Sequence, residues 1–181
     1  MIEILAVFFS LLSVWLTIKQ NIHCWTTGIV GCFFYFLLFV NDTNNINAWL
    51  QILFIIQNMF GVYYWNTVIK KDVTKLKDKT LLSIFISQTI ITSFFLYIID
   101  TMMGSSFPKF DSITASISLW ATILLILKKI ENWYFWAVAN IIYIWFFIES
   151  GHYLSSGLYT ILLILNYYGY KEWKRNIKVV S

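Results

Sequence analysis

Asn58-Met59-Phe60-Gly61-Val62-Tyr63-Tyr64-Trp65 and Asn166-Tyr167-Tyr168-Gly169-Tyr170-Lys171-Glu172-Trp173 share one pattern, Asn-x-x-Gly-x-x-x-Trp, at an offset of 108 residues. The match runs upstream without a gap: Trp25 falls on Trp133, Val30 on Val138, Tyr35 on Tyr143, Phe39 on Phe147, Leu50 on Leu158 and Ile56 on Ile164. That makes nine identities over the 41 positions from Trp25 to Trp65, where so biased a composition would give about three by chance. Five of the nine are Trp, Tyr, Asn or Gly, types that an apolar bias alone does not bring into register. The chain reads as a duplicated unit. Its first helices come into the match with a three-residue shift, which sets Ser13, Trp15 and Thr17 over Ser118, Trp120 and Thr122.

Of the 181 residues, 59% are hydrophobic and 12% charged, against about 25% charged in a soluble domain. Too little polar surface exists to cover the apolar mass, so the solvent must be lipid. One proline and seven glycines argue against a disordered or fibrous chain. Cys24 and Cys32 have neither metal nor redox spacing and read as apolar packing residues. The first apolar run carries Glu3, lacks a basic start and is followed by Lys19, which reads as a retained membrane helix rather than a cleaved signal.

Seven apolar runs are long enough to cross a bilayer: Ile2–Ile18, Trp25–Val40, Ile46–Ile69, Leu81–Ile99, Ser112–Leu127, Trp133–Ile148 and Tyr153–Tyr170. They lack the period-two alternation of strands. Twelve basic residues fall on one side of the resulting helices: Lys19, Lys70, Lys71, Lys75, Lys77, Lys79, Lys128, Lys129, Lys171, Lys174, Arg175 and Lys178. The other side has only Lys109, with Glu3, Asp42, Asp100, Asp111 and Glu149. The positive-inside rule then puts the N-terminus outside and the C-terminus in the cytoplasm. The expected fold is an all-α integral membrane protein, a single transmembrane domain of seven helices. Repeat one covers about 1–69, a linking helix about 80–99, and repeat two about 108–173. Three helices per repeat is an odd number, so the fourth helix restores orientation. Two parallel units then stand about an axis along the membrane normal, the 3+1+3 arrangement of SWEET-like carriers.

Polar residues within these spans follow 3-4-3-4 spacing, which keeps them on one helix face. Helix 2 offers Trp25, Gly28, Cys32, Tyr35 and Phe39, and helix 6 offers Trp133, Trp136, Asn140, Tyr143 and Phe147. Helix 3 offers Gln51, Phe54, Asn58, Gly61 and Trp65, and helix 7 offers Tyr159, Leu162, Asn166, Gly169 and Trp173. Trp25, Trp65, Trp133 and Trp173 stand at helix ends beside lysines and read as interfacial anchors before ligand contacts. Gly61 and Gly169 read as sites of close helix approach. Asn58 and Asn166 recur in both halves, and interhelical hydrogen bonding and solute contact are equally good readings of them. Asn140 and Trp136 differ, because their repeat partners are Cys32 and Gly28. A mid-membrane amide and indole present in one half alone point to a solute, and Tyr159 opposite Gln51 repeats the signal more weakly. His23 and His152 sit at span ends and read as interfacial. Glu3, Asp100 and Glu149 also lie at span ends, so no mid-span carboxylate is at hand to couple transport to an ion gradient. There is no Walker sequence, zinc spacing, Ser/His/Asp set or CxxC, and no cofactor, metal, enzyme activity or nucleic-acid partner is expected. Aromatics and amides without fixed charge suit a flat heterocycle bearing hydroxyls.

Glu131-x-Trp133-x-x-Trp136-x-x-x-Asn140 resembles the Trp-x-x-Trp-x-x-x-Asn signature of PnuC-type vitamin transporters. Tyr168-Gly169-Tyr170-x-Glu172-Trp173 is similar to that family's Gly-Tyr-x-x-Trp ending, and Gly61-Val62-Tyr63-Tyr64-Trp65 to its third-helix counterpart. The resemblance covers about Trp15 to Trp173. It implies uptake of nicotinamide riboside across the bacterial cytoplasmic (inner) membrane by facilitated diffusion, with a cytoplasmic kinase trapping the product. Relatives carrying thiamine, riboflavin or other nucleosides, and sugar carriers of the SWEET type, are the alternatives. Carried onto this chain, the resemblance puts Trp133, Trp136 and Asn140 at the substrate site. Gln57 and Asn58 from helix 3 and Asn166 from helix 7 are the implied neighbours, and Tyr143 and Tyr159 complete the expected set. The expected partners are the solute and the lipid bilayer, with a functional link to the kinase and room for a homo-oligomer.

Overall fold

In the computed structural model, which describes residues 2–40, 46–67, 72–76, 79–104 and 107–177, seven helices follow one another. They are α1 (Ile2–Ile18), α2 (His23–Phe39), α3 (Ile46–Thr67), α4 (Lys79–Met102), α5 (Pro108–Ile126), α6 (Asn132–Glu149) and α7 (Tyr153–Arg175). Each covers one expected run, and the largest differences have local causes. Helix α5 starts earlier, at Pro108, because proline lacks the N–H that a first helical turn leaves unpaired. Helix α7 runs on to Arg175 with Lys174 and Arg175 in its last turn, where cations face the negative end of the helix dipole. Lys70, Lys71, Lys77, Lys178 and Asp42 lie outside the described residues.

Helix contacts run from α1 to α2 to α3 and from α5 to α6 to α7, and α1 against α7 and α3 against α5 close them into a ring. Helix α4 packs on α5 from outside that ring. Within the ring α5 is the most deeply set element, with Ser112, Thr114, Ala115, Ser116, Ser118, Ala121 and Thr122 all buried. Small side chains let α3, α4 and α6 approach it closely. The hydroxyls of Ser112, Thr114, Ser116 and Thr122 turn back on the helix: Thr114 donates to the Phe110 carbonyl at 2.9 Å and Thr122 to that of Ser118 at 2.9 Å. They therefore need no outside partner in an apolar interior. Around the ring, Trp49, Ile90, Phe94, Phe95, Trp145 and Tyr167 are exposed. An apolar exterior of this extent is what a lipid-facing surface requires, and α4 and α5 are long and apolar enough to cross a membrane.

Trp25, Trp65, Trp133 and Trp173 are buried, at 1, 6, 3 and 0% exposure. That corrects their reading as interfacial anchors. A methyl built at Gly61 would overlap the Trp25 indole, and one at Gly169 would overlap that of Trp133. Each glycine therefore admits an indole rather than a helix backbone. Edge-on to each indole stands the next tryptophan, Trp65 at 5.2 Å and Trp173 at 5.4 Å between ring centroids, a geometry worth about 1 kcal/mol per pair. The outer indoles then cross between halves. Trp65 Nε1 donates to the Ile126 carbonyl at 3.0 Å and Trp173 Nε1 to the Thr17 carbonyl at 3.0 Å. Both acceptors lie in the last turns of α5 and α1, where carbonyls lack intrahelical donors.

The same offset of 108 recurs in the backbone. Gln20 (φ 53°) and Lys128 (φ 50°) both adopt the left-handed conformation that ends a helix. Asn21 donates to the Leu16 carbonyl as Lys129 does to that of Leu124. The turns α1–α2 and α5–α6 therefore superpose without the three-residue shift expected for the first helices, because turn geometry rather than residue identity sets their register. A second feature went unseen in the sequence. Residues 72–76 form a strap over this end of the bundle: Thr74 pairs with Lys129 in an isolated parallel bridge, and Leu76 N–H donates to Glu131 Oε1 at 3.1 Å. Val73, at 1% exposure, fills the tryptophan core beneath it. Lys19, Lys75, Lys79, Lys128, Lys129, Lys171, Lys174 and Arg175 gather at this same end.

Candidate functional site

A cavity of about 1010 Å³ lies inside the ring. All six ring helices line it, and α4 contributes nothing. Its floor, at the lysine-rich end, is made by buried Cys24, Trp25, Leu125, Asn132 and Trp133. Its mouth, at the opposite end, includes exposed Phe107, Ser150 and His152. Lys128 closes over the outside of the floor, its ammonium 4.4 Å from the Trp65 ring centroid. Burial lowers the Lys128 pKa from its ordinary 10.5, and the charge of nearby Asp72 opposes that shift.

The two halves supply the walls in register. Trp25, Gly28, Cys32, Tyr35 and Phe39 of α2 line the cavity, and so do their counterparts Trp133, Trp136, Asn140, Tyr143 and Phe147 of α6. Leu50, Gln51, Phe54 and Asn58 of α3 pair in the same way with Leu158, Tyr159, Leu162 and Asn166 of α7. From α1, Val7, Ser10, Val14 and Thr17 match Ala115, Ser118, Thr122 and Leu125 of α5 at the same offset. Cys24 and Cys32 are free thiols on this wall.

Seven of the eight expected site residues come together here: Asn58, Trp133, Trp136, Asn140, Tyr143, Tyr159 and Asn166. Gln57 is not among the lining residues. It points from α3 to α5, its Nε2 donating to the Leu119 carbonyl at 3.1 Å, so it joins the halves away from the cavity. Tyr143 and Tyr159 stack at 4.3 Å and Phe147 stacks on Tyr159 at 5.5 Å, while Phe110 lies against Phe146 at 3.8 Å. These rings make an aromatic wall near the mouth. The Asn140 carboxamide, in a residue only 5% exposed, makes no hydrogen bond among the described residues. Among the same residues Asn166 Nδ2 is buried without a partner, as are the Trp25 and Trp133 Nε1 atoms. Asn58 Nδ2 donates to the Phe54 carbonyl of its own helix at 2.7 Å, not across helices. Unpaired polar groups in a dry interior are costly unless a solute or water meets them. The arrangement holds flat rings against aromatics and offers amides to their polar edges.

Sequence reasoning passed over Asn132, Asp111 and the serine and threonine wall of α1 and α5. The signal was present, since hydroxyls spaced three or four apart on two matching helices share a face. Trp15 is half exposed and Trp120 donates to Thr92 Oγ1 of α4 at 3.0 Å, so neither belongs to the wall.

Known proteins agree with this architecture. Nicotinamide riboside transporter PnuC of Escherichia coli is 23% identical over 201 residues, covering 95% of this chain and 84% of that one. Its counterpart in Haemophilus influenzae is 26% identical over 185 residues, covering 93% and 77%. That of Neisseria mucosa is 32% identical over 82 residues, covering 42% and 31%. A crystal structure of the vitamin B3 transporter PnuC superposes with a TM-score of 0.78 at 20% identity, covering 98% of this chain and 82% of that one, which shows a shared fold. The family described as nicotinamide mononucleotide transporter matches residues 1–175, nearly the whole of this helical ring with its cavity and paired tryptophans, and the chain belongs to that family.

Proposed function

We propose that this chain carries nicotinamide riboside across the cytoplasmic membrane of a bacterium by facilitated diffusion, and that a cytoplasmic kinase phosphorylates the product and so retains it. The observation that carries this choice is the charge of the cavity wall. Among the described residues its lining includes no lysine or arginine, and the one carboxylate is Asp111. A mononucleotide brings a phosphate dianion, whose burial would demand cations at the wall. The riboside brings a flat cationic pyridinium instead. Trp136, Tyr143 and Tyr159 suit it through stacking and cation–π attraction, and Asn58, Asn140 and Asn166 suit its carboxamide and hydroxyls.

The same reading takes the two halves as parallel repeats, about 1–69 and about 108–173, joined by a helix at about 80–99 and related by an axis along the membrane normal. The paired lining and the duplicated turns support it. The gathering of lysines at the closed end supports an outside N-terminus and a cytoplasmic C-terminus. With that orientation the cavity mouth faces outward. Substrate-induced thermal stabilisation tests the solute: the riboside should raise the melting temperature and the mononucleotide should not. Stabilisation by thiamine or riboflavin without the riboside would overturn the assignment.

A further inference from the structure

Position 28 is where the two halves differ most, glycine in α2 against Trp136 in α6. A methyl built at Gly28 would overlap Oδ1 of Asn58 and lie 3.1 Å from its Cγ and 3.3 Å from Ser13 Oγ. The missing side chain is therefore a notch, and the Asn58 carboxamide occupies it. Which atom faces which way is settled by chemistry. Asn58 Nδ2 sits 2.7 Å from the Phe54 carbonyl, which only accepts, so the nitrogen must face it and the oxygen is left over. Ser13 cannot satisfy that oxygen, because its hydroxyl already donates to the Cys24 carbonyl at 2.8 Å. Asn58 Oδ1 has no donor among the described residues, and Asn58 lines the cavity.

We propose that Gly28 is a positioning residue for recognition: its notch seats the Asn58 carboxamide with the oxygen free, making this wall an acceptor that selects solutes presenting a hydroxyl or amide N–H. The counterpart amide is not tied to its own helix in this way: among the described residues Asn166 Nδ2 is buried without a partner. A solute carrying a carboxylate in place of the carboxamide would set oxygen against oxygen at Asn58 Oδ1.

The inference rests on the riboside reading, and its test separates the two. Dissociation constants for nicotinamide riboside are measured by titration in detergent for the wild type, Gly28→Ala, Asn58→Ala and the double variant, with gel filtration to check folding. Each single change should weaken binding by about tenfold, the loss of one hydrogen bond to a desolvated group. The double variant should also lose about tenfold rather than about a hundredfold, because both changes remove one interaction. Nicotinic acid riboside and the 2′- and 3′-deoxy ribosides identify the donor. The analogue lacking it should bind the wild type weakly and lose nothing more in Asn58→Ala. Wild-type affinity in Asn58→Ala, or losses that multiply in the double variant, overturns the proposal. If Gly28→Ala does not fold, Asn58→Ala decides alone, and full retention of wild-type discrimination among the analogues overturns it. Absence of riboside binding to the wild type overturns the functional reading and this inference with it.

Discussion

Trp136 and Asn140 stand one turn apart on α6, both on the cavity wall and both without an equivalent in α2. A ring stacked on the indole lies within reach of the amide. Asn140→Ala should weaken riboside binding by about 1–3 kcal/mol, the cost of leaving a desolvated ligand group unpaired. Trp136→Ala should cost a similar amount through lost stacking. Trp145, 63% exposed on the outer face, serves as the control, and Trp145→Phe should leave titrated affinity unchanged. Normal binding in both α6 variants would move the solute to another wall.

Gly61 and Gly169 act at the scale of helix pairs. In Gly61→Ala the new methyl meets the rigid Trp25 ring, and in Gly169→Ala that of Trp133, so neither side chain can swing aside as Asn58 can. Both substitutions should lower stability by about 1–3 kcal/mol through overpacking, read as a fall in detergent melting temperature. An unchanged melting point would mean the indoles are not held there. This element also shows how much was legible beforehand. The Asn-x-x-Gly-x-x-x-Trp pattern located the paired helices because indole and glycine must recur together where one packs on the other. What those tryptophans do was misread, since helix ends beside lysines also describe an interfacial anchor. Only packing against Gly61 and Gly169 tells the two apart. The amides, which hydrogen-bond sparsely, stood out against an apolar background, whereas Gln57 looked the same as Asn58 until its bond to the Leu119 carbonyl set it between α3 and α5. Gln20 and Lys128 share a backbone conformation but no chemistry, so no comparison of residue types would have paired them.

At the scale of the whole molecule, the lysine-rich end should face the cytoplasm, and a reporter fused after Ser181 should be active only there; periplasmic activity would reverse the orientation. With the membrane potential clamped at zero, uptake of the cationic riboside into vesicles should stop at equal concentrations whatever proton or sodium gradient is imposed, because Asp100, in the last turn of α4, and Asp111, in the first of α5, stand at helix ends rather than mid-membrane. Accumulation above the outside concentration at zero membrane potential and without a kinase would refute passive carriage. For the floor to open, the crossed indole bonds must break. Trp65→Phe or Trp173→Phe removes one, worth about 1 kcal/mol, and should raise the fraction of molecules labelled by a cytoplasmic-side thiol reagent at Cys24. The crossing itself has a kinetic meaning. Each half is held shut by the first helix of the other, so moving one half loosens the bond that restrains its twin. Opening is then cooperative: half-released forms are sparsely populated, and either phenylalanine variant alone should accelerate release at both seams together.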